Sequence, residues 1–199
     1  VLAWDFTQGQ LTANPIREIQ LQTGKYTLIL LLLTLACGPV YTVLGFRTAL
    51  RLRRTLGLYT FMYASVHLLN FVGLDYGFDF DLIRKDIPNK RFILAGFGAF
   101  LVLLLLAVTS TRGGMQWLGN NWKRLHRLIY VAALLAMLHF LWQAKADLRE
   151  PFIYGAMVLF LLLLRVSRVD EVLGRGWNWL KREQRRQPTG DDISGEVDY

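Results

Sequence analysis

Charged and apolar positions are segregated along the chain into long blocks, with no helical or alternating stripe of a half-buried element. Tyr26–Phe46, Leu56–Leu74, Phe92–Thr111 and Leu128–Ala144 contain no Lys, Arg, Asp or Glu. Each block has about the 17 to 25 residues needed to cross a hydrocarbon core some 30 Å thick at roughly 1.5 Å per residue. Pro151–Leu164 is shorter, but Arg165 and Arg168 behind it can bury their stems and reach the interface, making it a fifth span. The spans are expected to be helices, because lipid-exposed backbone must satisfy its own hydrogen bonds. The pattern predicts an all-α membrane protein, a polytopic helical bundle with five visible spans.

Composition agrees: 53% of the 199 residues are hydrophobic and the mean hydropathy is +0.30. The net charge of +8 is carried at the ends of the spans, away from any nucleic-acid-binding motif, so the charge is assigned to membrane topology and no nucleic acid is expected. Arg47, Arg51, Arg53 and Arg54 follow the first span without an acid; Arg112, Lys123, Arg124 and Arg127 follow the third, again without one. Seven more basic residues fall between Arg165 and Arg186. The connections Asp75–Arg91 and 145–150 are balanced. Positive charge marks the cytoplasmic side, so the connections alternate inside and outside and the C-terminus is cytoplasmic. The expected division is a membrane domain over 1–186 and a flexible acidic tail over 187–199. No internal repeat is evident. Val1–Trp4 reads either as the tail of an earlier span or simply as the start of a shortened chain. Cys37, the single cysteine, excludes a disulfide within the chain.

The chain has three histidines, His67, His126 and His139, each in or at the edge of a span, where an ionisable side chain is costly and usually serves a cofactor, a polar path or a partner. The second and fourth spans both run outward. His67 lies eleven residues past Leu56 and His139 eleven past Leu128, so both rings are expected about 16 Å from the cytoplasmic ends of their helices. Two imidazoles at one level suit bis-histidine ligation of haem iron. A closed zinc site would need about four ligands, and no Cys, Asp or Glu accompanies them at that depth. The alternative is that His67 and His139 merely hydrogen-bond neighbouring helices. His126 is thirteen residues before His139, about 20 Å lower and roughly 140° around an ideal helix; a second haem there would require a kink or an irregular turn. Arg53 or Arg54 stands at the matching level of the other helix, where arginine can hold a propionate. Tyr59, Phe61, Tyr63, Phe71, Tyr130 and Phe140 could wall a porphyrin or serve as ordinary packing.

Three stretches, NPIREIQLQTG (Asn14–Gly24), RRTLGLYTFMYASVHLLNF (Arg53–Phe71) and TSTRGGMQWLGNNWKRLHRLIYVAALLAMLHFLW (Thr109–Trp142), resemble the MsrQ family, the haem-binding membrane subunits of the bacterial periplasmic methionine sulfoxide reductase system. That family belongs to the ferric-reductase-like transmembrane group and usually has six spans. The resemblance implies b-type haem on His67 and His139, with His126 matching an inner ligand whose counterpart is absent, Arg53 standing at or beside its place. It implies electrons from quinone or a cytosolic flavin reductase, FMN as a further cofactor, and delivery to a periplasmic molybdenum-containing subunit that reduces protein methionine sulfoxide. The chain would then be the electron-transferring subunit of an oxidoreductase in the bacterial inner membrane, with no catalytic residue for sulfoxide chemistry of its own. Two rival functions stand beside it: a stand-alone ferric or cupric reductase of the same architecture and, from a different class, a small transporter relaying protons through its histidines.

Overall fold

The computed structural model describes residues 15–144 and 148–164; Val1–Trp4, the basic run from Arg165 and the acidic tail lie outside the described residues. Helix α1 spans Pro15–Leu44, α2 Arg47–Asn70, α3 Phe80–Asp86, α4 Arg91–Val108, α5 Arg112–Leu118, α6 Asn121–Leu125 and α7 Ile129–Gln143. A further helix, α8, covers 149–164. A π-helical turn, Phe71–Asp75, prolongs α2, and a 3-10 turn, His126–Leu128, joins α6 to α7. The described residues form an all-α, polytopic helical membrane protein.

Three of these helices are long and apolar enough to cross a membrane by length and composition: Pro15–Thr42, Arg91–Val108 and Asn121–Gln143. The five expected apolar blocks therefore do not all reach that measure. Helix α2 carries Arg47, Arg51, Arg53 and Arg54 in its first turns and His67 and Asn70 in its last, which dilutes its apolar stretch; α8 has only residues 149–164 in the described part. The first helix also begins much earlier than the charge-free block at Tyr26. Pro15 is preset for the first helical position, Glu18 complements the positive helix end, and the helix runs unbroken through Arg17 and Lys25.

Gly45, at φ +70, lets the chain leave α1; its amide donates to the Tyr41 carbonyl at 2.9 Å, and Arg47 opens α2 two residues later. Helix α1 packs along α2 and α4 along α7. The two pairs join chiefly through α2 with α4 and α1 with α7. Small residues permit the close approach: Thr60, Ala132 and Ala133 are fully buried, beside Leu31 and Leu103. The outward face of α4 exposes Leu94, Phe97, Leu101, Leu104, Leu105 and Val108, a continuous apolar surface that suits lipid rather than water. At the end of the bundle that holds Lys25, its ammonium meets Glu150 of α8 at 2.7 Å.

Candidate metal centre between two helices

His67 and His139 meet. Their ring centroids are 6.1 Å apart and the ring planes stand at 88°, although α2 and α7 are not among the pairs whose backbones run closely side by side among the described residues. The fold thus brings together two rings that each lie eleven residues past the start of a charge-free block.

Each ring is oriented through Nδ1. His139 Nδ1 lies 2.7 Å from the Phe92 carbonyl in the first turn of α4. His67 Nδ1 lies 3.1 Å from the Gln20 carbonyl of α1 and 3.2 Å from Thr23 Oγ1. The Thr23 hydroxyl donates its own proton to the Ile19 carbonyl at 2.8 Å, so it offers His67 a lone pair. Carbonyl and hydroxyl oxygens facing Nδ1 require the proton there, which leaves Nε2 of both rings as electron-pair donors. The Gln20 side-chain nitrogen approaches His67 Nε2 at 3.4 Å, and Gln20 Oε1 is buried without a hydrogen bond. Two neutral imidazoles with Nε2 lone pairs, the His67 one meeting only the long 3.4 Å approach of the Gln20 amide, could together ligate one transition metal. No group of three or more His, Cys, Asp or Glu side chains gathers among the described residues, so a four-ligand zinc cage of protein side chains does not arise there.

Glycines make room for the rings. A Cβ on Gly24 would lie 3.0 Å from His67 Cε1, and one on Gly96 would lie 2.6 Å from His139 Nδ1. Both would displace an imidazole.

His126 sits apart. Its ring stacks on Trp122 at 4.0 Å, its Nδ1 lies 3.2 Å from the Trp122 carbonyl and its Nε2 3.3 Å from Ser110 Oγ. The 3-10 turn at His126–Leu128 advances about 120° per residue, which narrows the separation from His139 to roughly 80° from the 140° of an ideal helix. Of the two arginines expected at the inner level, Arg53 is half-buried and Arg54 exposed. The aromatic residues divide: Phe61 stacks on Phe100 at 5.7 Å, Tyr63 meets Tyr26 at 5.9 Å, Phe71 packs on Tyr76 at 4.8 Å and Phe140 on Tyr154 at 6.1 Å, whereas Tyr59 faces outward, about half exposed. Cys37 is buried and free, with its thiol donating to the Leu33 carbonyl at 3.2 Å.

The family model described as ferric reductase like transmembrane component matches residues 23–137, which takes in His67 and His126 and ends two residues before His139. Over 172 residues the chain is 46% identical to the protein-methionine-sulfoxide reductase heme-binding subunit MsrQ of Xanthomonas campestris pv. campestris (strain B100), an alignment covering 83% of this chain and 79% of that one. The chain belongs to the MsrQ family. MsrQ of Xanthomonas axonopodis pv. citri (strain 306) is 41% identical over 195 residues, 95% of this chain and 84% of the relative. MsrQ of Herminiimonas arsenicoxydans is 41% identical over 184 residues, 91% and 80% of the two chains. No solved structure matches the chain.

The residues Gln20, Thr23, Gly24, Phe92 and Gly96 were not singled out as site residues by sequence reasoning. Gln20, Thr23 and Gly24 stand in the first of the three family-like stretches, which was the available signal; Phe92 acts through its carbonyl, which no side-chain pattern marks.

Proposed function

We propose that His67 and His139 hold one b-type haem between α2 and α7, and that the chain carries electrons through it to a periplasmic methionine sulfoxide reductase subunit. The observation that carries this reading is the ring pair itself. Two metal–imidazole bonds of about 2 Å to one ion put ring centroids roughly 6 Å apart, and the 6.1 Å separation of His67 and His139 is compatible with that span. The carbonyls of Gln20 and Phe92 supply the tautomer that ligation needs, and the buried, unpartnered Gln20 Oε1 marks a polar atom beside the ligating nitrogen. Gly24 and Gly96 keep the space beside the rings free of side chain. Haem bound there supplies one-electron chemistry, and the protein adjusts its potential through ligands, burial and outer hydrogen bonds. The heme-binding character named for the MsrQ relatives supports the same cofactor here.

The remaining parts of the reading follow from topology. α2 and α8 complete five spans in a bacterial inner membrane, the N-terminal ends of α1 and α4 face the periplasm, and the C-terminus is cytoplasmic. The membrane domain extends over 1–186. Electrons enter from quinol or a cytosolic flavin reductase and leave toward a molybdenum-containing partner, on which the sulfoxide is reduced. FMN belongs to this reading as a family trait, with no residue assigned. Arg53 and Arg54 lie about 20 Å along α2 from His67, so any cofactor contact of theirs belongs to an inner level shared with His126. Ser110 and Trp122 already engage both His126 nitrogens, which favours one haem over two.

The test is an absorption spectrum of the purified protein with its haem-to-protein ratio, repeated for His67→Ala, His139→Ala and His126→Ala. One low-spin haem per chain is expected, lost in the first two variants and kept in the third. A full low-spin spectrum in both His67→Ala and His139→Ala would defeat the pairing.

A further inference from the structure

His67 and His139 are held in the same way by residues at the same distance in sequence. The Gln20 carbonyl that accepts from His67 Nδ1 lies 47 residues before it, and the Phe92 carbonyl that accepts from His139 Nδ1 also lies 47 residues before it. Four residues past each carbonyl stands the glycine whose missing Cβ lets the ring in, Gly24 against His67 and Gly96 against His139. The second set, Phe92, Gly96 and His139, follows the first, Gln20, Gly24 and His67, at a constant 72 residues. Buried positions keep this offset: Thr23 and Ala95, Leu31 and Leu103, Thr60 and Ala132. The pairs α1–α2 and α4–α7 are thus two copies of one arrangement, a carbonyl and a glycine on the first helix receiving a histidine from the second.

We infer that Gln20, Thr23 and Gly24 on α1, with Phe92 and Gly96 on α4, are the positioning residues that set the rotation and donor strength of the two axial histidines. This rests on the haem reading above. Because one arrangement occurs twice, the rings come from two different helix pairs, and their planes stand at 88°. Axial imidazoles with perpendicular planes leave two iron orbitals nearly equal in energy and give a strongly anisotropic low-spin signal with a large g-max; parallel planes split them and lower g-max. The two copies differ at one place. Thr23 adds a second oxygen to His67 Nδ1, whereas its counterpart Ala95 has none to offer. Acceptors on the outer nitrogen make an imidazole a stronger donor and favour the oxidised metal, so His67 carries a tuning group that His139 lacks.

The experiment is electron paramagnetic resonance and a redox titration of the purified haem-loaded protein, with Thr23→Val, Thr23→Ser, Gly24→Ala and the control Thr27→Val, whose hydroxyl bonds only the Thr23 carbonyl of its own helix at 2.8 Å. The wild type is expected to show the large g-max of perpendicular ligands. Thr23→Val should raise the potential, Thr23→Ser should restore it, Thr27→Val should leave it in place, and Gly24→Ala should lower g-max by turning the His67 ring. If Gly24→Ala fails to accumulate, the threonine series decides alone. A wild-type g-max typical of parallel rings, or equal potentials for Thr23→Val and Thr27→Val, overturns the inference while leaving haem binding intact; a wild type without low-spin haem instead removes the reading on which it rests.

Discussion

The Lys90 ammonium lies 2.6 Å from Asp86 Oδ2, and both groups reach the nearly buried Tyr76 hydroxyl, which donates to the carboxylate at 2.7 Å and accepts from the ammonium at 2.9 Å. This triad closes the connection between α2 and α4 at the end of the bundle nearest the paired histidines. The hydrogen bond from Lys90, then that from Tyr76, holds the Asp86 carboxyl below its ordinary value of 3.8. The hydrogen bond to Asp86 leads those that raise Lys90 above 10.5, and burial raises the Tyr76 phenol. A depressed acid contributes stability above its unfolded value and loses it as pH falls through the folded one; a raised base contributes below 10.5 and loses it as pH rises through the folded value. Amide exchange over 76–90 should therefore show constant protection from about pH 5 to 9, weaken below and above, and be faster severalfold in Lys90→Met within that window, the difference closing outside it, with the haem spectrum unchanged. Hydrogen exchange read by mass spectrometry checks this; a Lys90→Met profile identical to wild type would count against the triad.

Gly96 and Gly98 differ by two residues and should differ sharply in tolerance. A Cβ at Gly96 would meet His139 Nδ1 at 2.6 Å, while one at Gly98 would meet only Leu135 Cδ1 at 3.5 Å. Gly98→Ala should keep full haem content and gain up to about 1 kcal/mol of helix propensity. Gly96→Ala should lose more than half of the haem, measured per mole of protein after purification.

Membrane orientation is open to direct labelling. In a Cys37→Ser background, Lys85→Cys in α3 and Lys123→Cys in α6, both exposed, should react from opposite sides with a membrane-impermeant maleimide: position 85 in intact cells, position 123 only after the membrane is opened. Reaction of both from one side would contradict the alternation of charge along the chain.

Ala132 is fully buried where α7 meets the core. Ala132→Leu forces extra volume into that contact and should cost about 1 to 3 kcal/mol, seen as a lower thermal midpoint with the haem bands retained at low temperature.

Much of the site was legible because depth in a membrane is a matter of counting. Charge-free blocks gave an expected interface for each helix, so eleven residues from Leu56 to His67 and from Leu128 to His139 pointed to rings at one height, and the rings do meet. Rotation about the helix axis was less accessible, since ideal helices put His126 and His139 on divergent faces and only coordinates reveal the 3-10 turn at His126–Leu128 that narrows the angle. Backbone carbonyls carry no residue-type signature, which hid Gln20 and Phe92. The recurrence at 72 residues escaped notice for a related reason: it preserves burial, a glycine and a histidine while exchanging Gln20 for Phe92 and Thr23 for Ala95. The extent of α2 was misjudged because its opening arginines read as a loop, whereas arginine is a good helix former and the helix takes in all four.

The wide turn at Phe71–Asp75 begins only four residues past His67. Such a turn holds one residue more than an ordinary helix would over the same rise. Shortening the chain by one there would restore regular winding beyond the turn and leave the His67 imidazole where it is, so the chain can change length at this point without moving the ring that meets His139.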